Sequence, residues 1–256
     1  MKEVSSFRVR KTSLYDKKSN QPFKISRSKF SNFLSCKRCF YLDRVIGLKE
    51  PSMPGWALNS AVDELLKKEF DFYRKEQKPH PIMIKNDLDF VPYYHKVLDV
   101  WRNSLKGGIS FLDEKTNLII HGGIDDIWFD QKEKKLVVVD YKAQSTNYPV
   151  SIESYLNNEW HLSYKLQMDI YVHILRKMSF KVSDYSYFYV CNGEKLNDKF
   201  NNKLDFKVTL VPYKSNTSWI DAKLEEMKEV LNLDNPPNIE PSCEKCAYLK
   251  GGKEYF

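Results

Sequence analysis

No apolar run in this sequence approaches the ~18 residues needed to span a bilayer. Its first eighteen residues, MKEVSSFRVRKTSLYDKK, contain no apolar segment of the kind a secretory signal requires. The expected compartment is therefore reducing and cytoplasmic, with no membrane partner. Cysteine is scarce, five residues in 256, and in such a compartment thiols serve as ligands or stay free rather than form disulfides. There is no internal repeat and no low-complexity linker long enough to separate two domains. What remains, 42% apolar and 29% charged residues, is the balance of a globular chain long enough to bury a sizeable core.

Charge is unevenly placed. The net charge is +7, yet residues 1–38 alone hold eleven Lys/Arg against Glu3 and Asp16. The rest of the chain is close to neutral. A basic arm over 1–24 on a neutral body suits a polyanion such as nucleic acid. A solvated Lys-rich tail accounts for the same count.

Periodicity divides the remainder into helices followed by a central sheet. Ser26 or Ser28 can cap a short helix through Phe30, Phe33 and Leu34. Pro51, Pro54 and Gly55 break the chain. Leu58, Ala61, Val62, Leu65, Leu66 and Phe70 recur at helical spacing, predicting an amphipathic helix over 57–75. Pro79 and Pro81 mark a loop, and a second helix fits 93–105 through Tyr94, Val97, Leu98, Trp101 and Leu105. Strand patterns follow at 109–120 and 124–129. The β-branched run Leu136-Val137-Val138-Val139 reads as a strand buried on both faces. A helix at 163–178, strands at 183–191 and 205–212, and a helix at 217–231 complete an α/β domain over 25–250. Residues 251–256 form a tail.

The order Gly122-Gly123-Ile124-Asp125, then Asp140-Tyr141-Lys142 fifteen residues after Asp125, carries chemistry. On two strands joined by a turn, both carboxylates reach the same end of the sheet. Two such groups suit a hard cation, since Mg²⁺ is held by one or two carboxylates plus phosphate oxygens and water. Asp140 and Lys142, two apart on a strand, share a face. The ammonium then stands beside a metal-bound water, which it can orient or deprotonate, and it offsets charge building at phosphorus. The five histidines show no ligand spacing, and His121, just before the turn, reads as structural.

Together with Tyr164-Lys165-Leu166-Gln167 and Tyr171 on the following helix, this pattern resembles the PD-(D/E)XK phosphodiesterases, specifically their RecB-like exonuclease branch. The resemblance implies a restriction-endonuclease-like core with a mixed sheet flanked by helices. It also implies a Mg²⁺- or Mn²⁺-dependent nuclease in which Gln167 and Tyr171 contact DNA or organise the site. In that family an upstream helix supplies a metal-binding His. Here Asp63 stands in its place, and a carboxylate can replace imidazole at such a site. The implied ligand set is Asp63, Asp125, Asp140 and the Tyr141 carbonyl.

Cys36-x₂-Cys39 and Cys243-x₂-Cys246 can complete a tetrahedral four-sulfur site. Cys191 reads as a core residue. AddB-type and CRISPR-associated exonucleases, which this layout resembles, hold a [4Fe–4S] cluster with one N-terminal and three C-terminal cysteines. That likeness favours a cluster here, whereas two symmetrical pairs equally fit Zn²⁺. In either case the metal clasps the two ends of the chain.

The expected activity is hydrolysis of DNA phosphodiester bonds, exonucleolytic, on single strands or free ends, in repair, recombination or CRISPR-type processing. With no helicase-type phosphate loop, unwinding would fall to a partner. The alternative is a nuclease fold kept as a non-catalytic DNA-binding or assembly subunit.

Overall fold

A computed structural model describes residues 13–48, 50, 55 and 57–255. Lys2, Arg8, Arg10 and Lys11 of the basic arm, and the break at Pro51 and Pro54, lie outside the described residues. The chain forms two compact units. One gathers the described residues of Met1–Pro54, with Leu112–Ile120 and Ser218–Phe256; the other comprises Gly55–Phe111 and His121–Thr217.

The first unit contains β1 (Phe23–Ser26), α1 (Arg27–Ser35) and α2 (Lys37–Tyr41), which runs into a π-helical turn at Leu42–Ile46. Ser26, not Ser28, is the N-cap of α1, and its hydroxyl accepts the Lys29 N–H. Phe30 and Phe33 sit on the buried face of that helix, against Trp219 and Phe40 respectively. The helix expected over 217–231 occupies Ile220–Leu231. A further helix, Glu244–Gly252, follows; its residues carry no apolar stripe at helical spacing for periodicity to detect.

In the second unit α3 (Ala57–Glu76), α4 (Pro81–Lys85), β2 (Phe90–Pro92) and α5 (Leu98–Arg102) come first. The hairpin of β3 (Ile109–Asp113) and β4 (Leu118–Gly122), whose residues Leu112–Ile120 belong to the first unit, joins β1 in the order β1-β4-β3. Next are β5 (Asp126–Asp130), β6 (Lys135–Gln144), α6 (Ile152–Leu156), α7 (Leu162–Lys177), β7 (Tyr185–Gly193) and β8 (Phe206–Lys214), followed in the first unit by α8 (Ile220–Leu231) and α9 (Glu244–Gly252). The main sheet has the order β2-β5-β6-β7-β8. β6 is antiparallel to β5 and parallel to β7, so the sheet is mixed.

The continuous apolar run of β6 follows from its central place. Val137, Val139 and Tyr141 join Leu66 and Phe70 of α3 in one core, while the alternate residues face α7. Phe70 is the hub of that core, stacked on His80 at 4.2 Å, Trp128 at 5.4 Å and Tyr141 at 5.7 Å, with Tyr189 edge-on at 5.6 Å. Burying a side chain of this size contributes about 1.5–3 kcal/mol.

Three readings need correction. The helix expected over 93–105 shrinks to Leu98–Arg102: the Tyr93 N–H bonds the Ile127 carbonyl of β5 at 2.9 Å, Tyr94 is exposed, and Asn103 ends the helix before the exposed Leu105. Pro81 opens α4 rather than a loop: it stands at the first helical position behind the His80 cap, where its missing N–H costs nothing. On α3 the buried stripe is Leu66, Phe70 and Arg74, while Leu58 and Leu65 are exposed. A buried arginine had not been counted among the core-facing positions.

Candidate active site

β6 continues to Gln144 because β7 runs parallel to it through Asn192. Asp140 and Lys142 therefore lie within a paired strand, opposite Phe188 and Val190, rather than at a strand end. The β5–β6 ladder ends at the pair Asp126–Val139. Asp125, the residue before β5, falls next in register to Asp140, and its Oδ2 accepts the backbone N–H of Tyr141 at 2.9 Å.

Asp140 is fully buried. One oxygen accepts the side-chain amide of Gln167 at 2.5 Å, and the other is ion-paired with Lys142. Burial pushes its carboxyl up to about 7; Lys142 opposes the rise and the neighbouring Asp125 adds to it. Burial works against charge on Lys142, but Asp140 and Asp125 hold its ammonium above the usual lysine range. That ammonium also lies 4.7 Å from the centre of the Tyr164 ring, a cation–π contact. Lys142 Nζ reaches the Tyr141 carbonyl at 3.5 Å.

Asp63, half-buried on α3, pairs with Lys67 at 2.6 Å through one oxygen. Its other oxygen, Oδ1, is buried with no hydrogen-bond partner. Burial raises its carboxyl, and the field of Asp125 raises it further. An orphaned buried carboxylate oxygen in the field of a second carboxylate is the donor chemistry that a hard divalent cation would satisfy. One turn before it, Asn59 donates its side-chain amide to the Ala143 carbonyl at 3.2 Å. Tyr171, one turn beyond Gln167, is buried in α7 and 3% exposed. Its ring offers no surface for DNA, which corrects that part of the expectation.

Sequence reasoning missed the group behind the site. Asp126 is wholly buried and paired with both Arg74 and Arg102, the latter at 2.9 Å. Its second oxygen accepts the Tyr141 hydroxyl at 2.8 Å. Arg102 also holds Asp71 at 2.9 Å, and Arg74 Nε donates to the Tyr93 carbonyl at 2.7 Å. Tyr141 thus faces this network with its ring, while its backbone flanks the residues of the opposite face. The signal was present as Arg74 four residues after Phe70 on the core-facing stripe.

The paired glycines have a steric cause. A Cβ on Gly123 would lie 2.9 Å from the Arg102 carbonyl oxygen and 3.0 Å from the Ser104 nitrogen. Gly108, at φ +66°, packs against the Gly122 carbonyl, where a Cβ would approach to 2.2 Å.

The first unit carries a second cluster. Cys36 is at the N-cap position of α2 with Cys39 on its first turn, and Cys243 is at the N-cap position of α9 with Cys246 on its first turn. The four Sγ atoms lie within 4.8 Å of one another, and they form the one group of this kind among the described residues. They could hold a metal ion. Cys191 lies apart from them, buried in the core of the second unit.

A model of the PD-(D/E)XK nuclease superfamily matches residues 53–250. No curated protein sequence matches this chain. Among solved structures it is similar to one from Eubacterium rectale named "Putative exonuclease", at 13% identity and TM-score 0.42, over 94% of this chain and 93% of that one. Among the described residues, no helix is long and apolar enough to cross a membrane. With more than three quarters of its residues inside the family match, the chain belongs to the PD-(D/E)XK nuclease superfamily.

Proposed function

We propose that this chain is a divalent-metal-dependent deoxyribonuclease that hydrolyses phosphodiester bonds from DNA ends. The observation that carries the reading is the cluster on β6, where Asp140 meets Lys142 and Gln167 beside Asp125. Asp125 and Asp140, with Asp63 and the Tyr141 carbonyl, would hold Mg²⁺ or Mn²⁺. Such a cation supplies a polarised phosphoryl oxygen and a more acidic water.

The chain's own groups do the rest. Gln167 fixes the Asp140 rotamer, and the Tyr141 N–H fixes Asp125. The Lys142 ammonium, steadied by Asp140 and the Tyr164 ring, orients the attacking water and offsets negative charge on the phosphoryl oxygens. The water oxygen bonds to phosphorus as the bond to the 3′ oxygen breaks with its electron pair. The attacking water gives a proton to solvent and the departing 3′ oxygen takes one from it, so the products carry a 5′-phosphate and a 3′-hydroxyl. The setting proposed for this activity is repair, recombination or CRISPR-type processing.

The test is incubation of the full chain with end-labelled single- and double-stranded DNA, and with RNA in parallel, in Mg²⁺, Mn²⁺ or EDTA. Cleavage of DNA from its ends that EDTA abolishes is expected. Binding without cleavage under every metal would leave a docking subunit instead.

A further inference from the structure

We propose that the four-thiol site of the first unit holds a single zinc ion, and that the iron–sulfur cluster of related exonucleases does not fit it. Cys36 and Cys246 Sγ are 3.8 Å apart, Cys39 and Cys243 are 3.6 Å apart, and Cys39 and Cys246 are 3.5 Å apart. All four sulfurs lie within 4.8 Å of one another. Four thiolates each about 2.3 Å from one tetrahedral centre stand roughly 3.8 Å apart, so these separations are those of a single ion. In a four-iron cube each thiolate bonds a different iron and points outward from it. The sulfurs are then splayed to roughly 6 Å, beyond the widest separation here.

The chain pattern agrees with the distances. The cluster-bearing relatives divide their ligands one and three, whereas this chain divides them two and two. Each pair is placed alike, one cysteine at the N-cap position of a helix and the second on its first turn. The Cys39 N–H donates to Cys36 Sγ at 3.4 Å, the kind of bond that holds a metal-bound thiolate in place. Cys36 and Cys246 are buried. Four thiolates around a divalent ion carry a net charge of −2, and Lys245 lies in the field of Cys39 and Cys243 while holding Glu50 at 2.7 Å. Tetrahedral four-sulfur sites select zinc or iron, and at equal availability a divalent site favours Zn²⁺ over Fe²⁺.

The full chain would be produced with iron and zinc both supplied, purified anaerobically without chelator, and assayed for zinc, iron and acid-labile sulfide. One zinc per chain, no sulfide and colourless protein are expected. Cys243→Ser should lose the zinc and melt at lower temperature, and Cys191→Ser should keep it. Should Cys243→Ser fail to fold, the metal content of the unaltered chain still decides the matter. Iron with sulfide, a lone iron, or metal-free protein with four freely reactive thiols would each overturn the proposal. None of these outcomes depends on nuclease activity.

Discussion

The backbone N–H of Tyr141 donates to the Asp125 carboxylate at 2.9 Å, although the two residues stand sixteen apart in sequence. The bond forms one step beyond the last β5–β6 pair, so the ladder that builds the sheet also delivers one acid to the other. Catalysis should be correspondingly sensitive to that strand. Asp140→Asn or Lys142→Ala is expected to lower DNA cleavage by about 10²-fold or more, the usual loss when one stabilising group is removed. Single-turnover rates on labelled DNA check it, and wild-type cleavage by either variant would place the chemistry elsewhere.

Gln167 donates to Asp140 at 2.5 Å and does its work through that carboxylate. Gln167→Ala should raise the Mg²⁺ concentration needed for half-maximal cleavage by about 10–100-fold, the range for a residue that orients a ligand. An unchanged Mg²⁺ titration would make the amide a packing group only.

The Arg74–Asp126–Arg102 group is a stability element. Arg102→Ala leaves Asp126 short of a cation in a site with no exposure, at an expected cost of about 3–5 kcal/mol. Tyr141→Phe removes one donor to Asp126, at about 1–3 kcal/mol. Chemical denaturation of the two variants should rank them in that order.

Gly108→Ala should destabilise strongly, because a Cβ at φ +66° would strike the Gly122 carbonyl. Gly251→Ala in α9 meets nothing within 4 Å and should be neutral or slightly stabilising, since Ala is the better helix former. Equal melting temperatures for the two variants would contradict this packing.

Asp43 in the first unit pairs with Lys29 at 2.7 Å and Arg44 at 2.7 Å. Burial opposes its charge, but the two cations hold its carboxyl below the usual aspartate range. A depressed carboxyl stabilises above its unfolded value, and that contribution fades as pH falls through the folded one. The melting-temperature gap between wild type and Asp43→Asn should be full near neutrality and close in acid below the ordinary aspartate range. A gap independent of pH would mean the asparagine acts by shape alone.

Local pattern was enough to read β6, α7 and most of α3. A run of β-branched residues and a 3–4 apolar spacing each reflect one element meeting one core. The order of Asp125, Asp140, Lys142 and Gln167 was legible for the same reason: strand alternation and helical turns act over a few residues. The tertiary structure alone decided what depends on distant partners. β7 lengthened β6 and moved Asp140 into its interior, and the extended chain leaving β2, tied by the Tyr93 N–H to the Ile127 carbonyl, delayed the start of the helix to Leu98. Arg74 and Arg102 became buried because Asp126 and Asp71 meet them from other elements, which no periodicity records. The four cysteines announced a site by their spacing, but their separations, on which the choice of metal turns, exist only once residues two hundred apart are brought within a few ångströms.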